Sequence, residues 1–325
     1  MNIAVTGASG HIGSNLCRGL VNQGHSVRAL VHRDVRGVEG LGMKLISGDL
    51  MNPKSLLSLV KDVDVVFHLA AIISIKGRKN EIFEKNVEGT RNILGAALDT
   101  GVRRFVHFSS IHSLDPRPRD KVMNEDRPLV LNDRIAYSRS KAMAEVAVQD
   151  AVKQGLNAVI LNPTAVIGPY DFAPSLLGRA LILMYRGKLP ALIRGGYDWV
   201  DVRDVVQSAI TVMARGGTGE RYILSGHWKS LPELCVLVSR LSHRRPPALT
   251  CSIRLAKIGL PFLKIYSRLN KSDPLYTLDS LTIVKTGNKN ISHKKATAEL
   301  DFHPRPLEDT LEDTMRWFKE SDYLD

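Results

Sequence analysis

The feature that most constrains this chain is Gly7-Ala8-Ser9-Gly10-His11-Ile12-Gly13, set between the apolar run Ile3 to Val5 and a helical stretch reaching about Gln23. A strand that turns on glycines into a helix aims several free backbone N–H groups at one point. The positive end of the helix dipole points there too, so an anionic pyrophosphate can dock. Gly7 permits the tight turn, Gly10 the close approach of phosphate to backbone, and Gly13 the close packing of helix on strand. Placement directly after a strand gives an otherwise weak glycine spacing its meaning.

Further strand signals recur at 26–31, 43–47, 64–68, 103–109, 158–162 and 221–225, each rich in Val, Ile, Leu or Phe. Helical stretches lie between them at 53–60, 81–99, 133–154 and 201–213, with Pro53 suited to a first helical position and Gly101 placed to end the second. Strands alternating with helices predict an α/β fold with a doubly wound parallel sheet. Beyond Pro163 the alternation breaks down. Residues 1–162 and 201–228 are therefore expected to form a dinucleotide-binding domain, and 163–200 with 229–325 a smaller, mostly helical substrate-binding region. A polar loop from Leu114 to about Asn132, punctuated by Pro116, Pro118 and Pro128, is expected to cover a ligand at the carboxyl ends of the strands.

An apolar content of 44% with 24% charged residues places the chain among globular proteins and excludes a disordered one. Cys17, Cys235 and Cys251 are odd in number and widely spaced, which fits neither a disulfide framework nor a zinc site, and no metal site is expected. The chain starts directly on a strand without a cationic and then apolar leader, so a cytoplasmic location is expected. A formal charge of +12 attracts anions. The cations are dispersed, without the interleaved aromatics that stack bases, so no nucleic-acid partner is expected.

Tyr137-Ser138-Arg139-Ser140-Lys141 falls in a helical stretch, where spacing of four puts phenol and ammonium on one face. A phenol titrating near 10 is a poor base at neutrality, and a cation held beside it lowers that value.

With the glycine turn, Tyr-x-x-x-Lys and Phe108-Ser109-Ser110 at a strand end, the chain resembles the extended short-chain dehydrogenase/reductase superfamily. Gly48-Asp49-Leu50 is similar to that family's adenine-contacting turn, His68-Leu69-Ala70-Ala71 to the stretch beside the cofactor phosphates, and Asn86-Val87-Glu88-Gly89-Thr90 to its central helix motif. Asn162-Pro163-Thr164-Ala165-Val166-Ile167-Gly168-Pro169 resembles the turn touching the nicotinamide, and residues 199–205 the return to the sheet. The resemblance implies Tyr137 as general acid/base, with Lys141 lowering its pKa and binding the nicotinamide ribose. It implies Ser110 as the hydrogen-bond partner of the substrate oxygen, with Ser109 the alternative in a shifted register. Asn86 is then either a holder of water in a proton relay or a helix-packing amide. The implied cofactor contacts are Gly7, Ser9, Gly10, His11, Ile12, Gly13, Asp49, Leu50, Leu69, Ala70, Ala71, Tyr137, Lys141, Pro163 and Val166.

NAD-preferring relatives end the second strand on an acidic residue that accepts from both ribose hydroxyls. Here that position is Val31, followed by His32 and Arg33, whose planar fork of donors suits a 2′-phosphate. NADP is expected over NAD, with Asp34 the residue that a shifted turn would bring to the ribose.

The expected function is NADP(H)-dependent oxidation or reduction of a secondary alcohol or ketone. The Asn162–Pro169 stretch is most similar to the dihydroflavonol reductase and hydroxysteroid dehydrogenase branch, which implies a hydrophobic ring substrate. A nucleotide-sugar epimerase with tightly bound NAD and, outside enzymes, an NADP-sensing regulatory protein are the rival readings. The resemblance also implies a homodimer formed through helices 81–99 and 133–154. Residues 254–271 interleave apolar and basic side chains, with Pro261 breaking any long helix. They are read first as a cover for the substrate site and second as a contact with an anionic membrane surface.

Overall fold

A computed structural model describes residues 1–73, 79–189, 191–247, 249–258 and 277–324. Seven parallel strands form the main sheet: β1 (Asn2–Thr6), β2 (Ser26–Val31), β3 (Lys44–Ser47), β4 (Val65–His68), β5 (Arg104–Phe108), β6 (Ala158–Pro163) and β7 (Arg221–Leu224). Their spatial order is β7-β6-β5-β4-β1-β2-β3. The order reverses between β1 and β4, and the crevice beyond the carboxyl ends of that pair is where such sheets bind ligands. Strand bounds read from the sequence agree to within a residue or two, and most clearly for β4, β5 and β6, which are buried on both faces and carry near-continuous apolar runs.

One face of the sheet is covered by α1 (His11–Asn22) and a helix at Val202–Thr211, burying Leu16, Leu20, Val205 and Ala209 against Val5, Phe67 and Val106. The other face carries α2 (Pro53–Val60), α3 (Gly89–Asp99) and α4 (Ala136–Lys153), with Leu59, Ile93 and Val148 against Val66, Phe105 and Ile160. The fold is a Rossmann-type doubly wound sheet, as the strand and helix alternation predicts.

The helix expected over 81–99 is interrupted. A helical turn at Lys79–Phe83 passes into a π turn at Glu84–Glu88 before α3 begins. Wide turns of this kind occur at functional sites, and this one carries Asn86 inward, 2% exposed.

Apart from β7 and the helix Val202–Thr211, much of the chain beyond β6 builds a second packing unit, with a three-stranded sheet from Ala165–Ile167, Gly196–Asp201 and His227–Ser230. Helices Leu176–Tyr185, Leu231–Ser242, Leu278–Thr286 and Leu307–Glu320 surround a second core centred on Leu181, Trp199, Leu234 and Phe318. The proline-punctuated loop runs along the edge of the sheet as well as over its carboxyl ends. The Glu125 carboxylate accepts the backbone N–H of Ile223 at 2.9 Å, which blunts the free edge of β7. Met123 exchanges backbone hydrogen bonds with Asn290 and Ser292. Residues 259–271 of the basic, apolar segment lie outside the described residues. Among the described residues no helix is long and apolar enough to cross a membrane, and the three cysteines are free thiols.

Candidate active site

The glycine turn has the geometry its spacing predicts. Gly7 sits at φ +71°, and a Cβ there would fall 2.6 Å from the Ala70 nitrogen, so β1 and the segment after β4 approach as closely as backbone allows. A Cβ on Gly13 would stand 2.1 Å from the Gly7 carbonyl oxygen, which requires glycine where α1 crosses the turn. At Gly10 only that same oxygen lies within 4 Å, at 3.3 Å, and the residue is exposed. The turn is thus closed on its protein side and open above Gly10, a cradle of the shape a diphosphate needs against free N–H groups. The residues present fit the dinucleotide that the fold implies.

Other expected contacts divide. Leu69, Ala70 and Ala71 flank this cradle at the end of β4, and Ser9 lies within the turn, half-buried. His11 braces the turn: its Nε2 meets the carbonyls of Gly168 and Pro169, each at 3.1 Å. Asn15 adds a bond to the Pro169 carbonyl, and Ser14 one to Tyr170, tying α1 to the turn after Ala165–Ile167. Ile12 packs on the core. Leu50 is buried against Gly89, while Asp49 accepts Met51 N–H and two bonds from Lys85 Nζ, which hold its carboxyl below the usual range. Pro163 is buried at the end of β6, and Val166 is half-buried beside it.

At the end of β2, His32 and Arg33 are exposed. Asp34 is not free: Arg36 grips it with Nε at 2.9 Å and a second nitrogen at 2.6 Å, and its carboxyl is held low by that bond.

The Ser110 hydroxyl lies beside the Tyr137 phenol, and Ser110 Oγ accepts the His112 N–H at 3.2 Å. The imidazole of His112 stands edge-on to the phenol, centroids 6.4 Å apart, and burial pushes its pKa down to about 4, so it is neutral. Lys141, one turn along α4, donates to the Phe108 carbonyl at 2.7 Å; burial pulls its pKa down to about 8, with Glu145 opposing. The expected lowering of the Tyr137 pKa is not found. Burial raises the phenol, only the Ser110 hydroxyl opposes it, and the Lys141 ammonium is engaged on a backbone carbonyl.

Asn86 contributes as a packing amide in this arrangement. Its Oδ1 accepts Ile72 N–H, and its Nδ2 donates to the Ile72 carbonyl and to Ser140 Oγ, so both ends are used by protein.

Two networks escaped the sequence reading. Glu145, wholly buried one turn past Lys141, accepts Ser109 Oγ, Ser113 Oγ and Asn162 Nδ2 on one oxygen and Arg221 on the other. Asn162 also donates to the Ser110 carbonyl, so this carboxylate ties the strand ends to the catalytic helix. Ser109, the alternative to Ser110, is therefore turned into the interior. The spacing of Tyr137, Lys141 and Glu145 by four was the available signal. The second network has a defined direction. Thr90 donates to the Asn86 carbonyl and so must accept from His68 Nε2, leaving Nδ1 to accept from Thr6, which itself accepts the Ala70 N–H. His68 is a neutral bolt between the glycine cradle and the π turn, its pKa pushed down to about 3 by burial.

A cleft of about 660 Å³, its mouth included, opens beside His112 and Ser138 and reaches Thr164, Tyr197, Asp198 and Asn288.

Residues 3–225 match the model of the NAD dependent epimerase/dehydratase family. The chain is 32% identical to sterol demethylase protein B of Methylococcus capsulatus over 98% of this chain and 99% of that one. It is 31% identical to a putative dihydroflavonol 4-reductase of Synechocystis, covering 98% of this chain and 95% of the relative. Among solved structures, gox2253 superposes with a TM-score of 0.86 at 31% identity, covering 100% and 99% of the two chains. A UDP-glucuronic acid 4-epimerase from Bacillus cereus, at 20% identity and a TM-score of 0.80 over 99% of both chains, shares the fold. With its strand order, glycine cradle and Ser110–Tyr137–Lys141 site, the chain belongs to the NAD dependent epimerase/dehydratase family of extended short-chain dehydrogenases/reductases.

Proposed function

We propose that the protein is an NADP(H)-dependent oxidoreductase acting on a secondary alcohol or ketone carried by a hydrophobic, ring-like substrate. The observation that carries this reading is the placement of the Ser110 hydroxyl beside the buried Tyr137 phenol, one helical turn from Lys141, with their chain neighbours Ile111 and Ser138 lining the cleft. In reduction, Ser110 orients the carbonyl oxygen and Tyr137 delivers the proton to it; in oxidation Tyr137 takes the proton back. The raised pKa of Tyr137 keeps it protonated, which favours the donor role. The nicotinamide, when bound, supplies or accepts the hydride. Lys141 holds a positive charge beneath this site, and the start of α1 presents N–H groups to the diphosphate, the Gly10 N–H being taken up by the Gly7 carbonyl.

Support for NADP comes from β2. Val31 cannot accept from a ribose, Asp34 is occupied by Arg36, and His32 and Arg33 are exposed where a 2′-phosphate would sit. The relatives named as reductases, including the dihydroflavonol 4-reductase, fit a ketone-reducing role. An epimerase would hold NAD tightly and return the hydride to the same substrate, and the occupied Asp34 weighs against it. We further read the protein as a homodimer built on α3 and α4, a state that light scattering of the purified protein checks.

Fluorescence titration with NADPH and NADH tests the cofactor. NADPH is expected to bind at least about tenfold more tightly, a preference that Arg33→Ala abolishes. Equal or tighter NADH binding overturns the cofactor assignment, and failure to bind either overturns the enzyme reading.

A further inference from the structure

In a chain that carries 45 lysines and arginines against 33 acids, none of those cations is among the described residues that line the cleft beside Ser110 and Tyr137. Among the described residues lining it, the ionisable side chains are Asp133, Asp198, the Tyr197 phenol and the neutral His112. The remainder is mostly apolar, with Ile111, Leu114, Met123, Ile135, Ile283 and Ile291 forming its walls.

Asp198 is the buried polar group of this cleft, 7% exposed. Its Oδ1 accepts the Gly226 N–H at 2.7 Å. A carboxyl accepts about four hydrogen bonds in all, so capacity remains on the face turned to the cleft. The strand that carries it, Gly196–Asp201, pairs with both its neighbours, so the position of the carboxyl is set by rigid backbone. A negatively charged substrate group would enter this space with two carboxyl groups and no counter-ion. Its lost hydration would go uncompensated, whereas an uncharged apolar body would be compensated by the walls.

We propose, building on the oxidoreductase reading, that the cleft selects uncharged, largely apolar substrates and that Asp198 accepts a hydrogen bond from a substrate hydroxyl other than the one undergoing reaction. Asp198 is then a specificity-determining residue, separate from the acid/base pair. Nucleoside diphosphate sugars, coenzyme A thioesters and carboxylates are excluded by charge.

The test is binding to the NADP-loaded protein, read by tryptophan fluorescence, so that it does not depend on turnover. The probes are 1-tetralone, a hydroxy-substituted tetralone, its carboxylate counterpart and UDP-glucose. The hydroxy ketone is expected to bind at least about tenfold more tightly than the parent ketone, and both more tightly than either anion. Asp198→Leu should bring the hydroxy and parent ketones to within about threefold of each other, while Asp198→Asn, which keeps an acceptor for Gly226, should weaken exclusion of the carboxylate. UDP-glucose or the carboxylate binding as well as the neutral ketones overturns the proposal, as does binding of no probe or a hydroxyl preference that survives Asp198→Leu. Selective binding of the hydroxy ketone with no NADPH oxidation by any ketone leaves the cleft assignment standing and overturns the oxidoreductase reading instead.

Discussion

The carboxylate of Glu145 and the guanidinium of Arg221 meet at 2.7 Å, the carboxylate with no exposure to solvent. Three further donors, Ser109, Ser113 and Asn162, complete its shell. Removing one partner of such a pair leaves a buried charge unmatched. Glu145→Ala should therefore lower stability by about 3–5 kcal/mol, read from urea unfolding. A loss under about 1 kcal/mol would mean that the network is not holding β5, β6, β7 and α4 together.

The glycine cradle separates stability from binding. Gly10→Ala adds a methyl that meets only one atom, so stability should change by less than about 1 kcal/mol while NADPH affinity falls at least about tenfold. Gly13→Ala places its methyl 2.1 Å from the Gly7 oxygen and should destabilise the whole fold. Calorimetry on both variants, with a fluorescence titration, checks the contrast; a Gly10→Ala protein that binds NADPH like the parent contradicts the cradle.

Tyr137→Phe should retain cofactor binding and lose about 10²–10⁴-fold in kcat on any ketone the protein reduces. Lys141, with its pKa pulled down to about 8, loses its charge as pH rises through that value. Activity that needs the ammonium should decline above about 8 on the pH profile of kcat/KM. A profile flat from 7 to beyond 9, by stopped assay of NADPH consumption, would remove Lys141 from its role.

Acid sensitivity follows from two histidines. The folded pKa of His68 is about 3 against an ordinary 6.5, so between those values the unfolded chain binds the extra proton. Stability should rise with pH across that window and be lost as pH falls from 6.5 toward 3. His107 stacks on it with centroids 5.5 Å apart, is buried, and has no hydrogen-bond partner on either ring nitrogen. His107→Phe should then stabilise the protein at neutral pH by about 1–3 kcal/mol and flatten the acid limb of a Tm-against-pH curve. A destabilised His107→Phe protein would point to a water or a proton role at that ring.

The α/β class and the strand bounds were legible because each rests on local rules, and Ser110, Tyr137 and Lys141 were singled out by the motifs that carry the family resemblance. Both faces of β4, β5 and β6 are buried, so their apolar runs are uninterrupted. Tyr137 and Lys141 need only a helical period to share a face. The π turn at Glu84–Glu88 was not legible, since a one-residue widening leaves no periodic signature and serves to bring Asn86 inward. The second lobe was read as smaller and mostly helical, and its three-stranded sheet was missed because it joins strands far apart in sequence.

From its residues alone this chain is committed to a glycine turn, a parallel sheet and an acid/base helix, all properties of near neighbours in sequence. Tertiary structure decided how those parts are charged and held. It set Glu145 of α4 against Arg221 and made His68 a neutral bolt between Thr6 and Thr90. It also gathered Asp133 and Asp198, far apart along the chain, at one cleft. The physical reason is that burial and partnership fix what an ionisable group does, and both depend on residues that only the folded chain brings together.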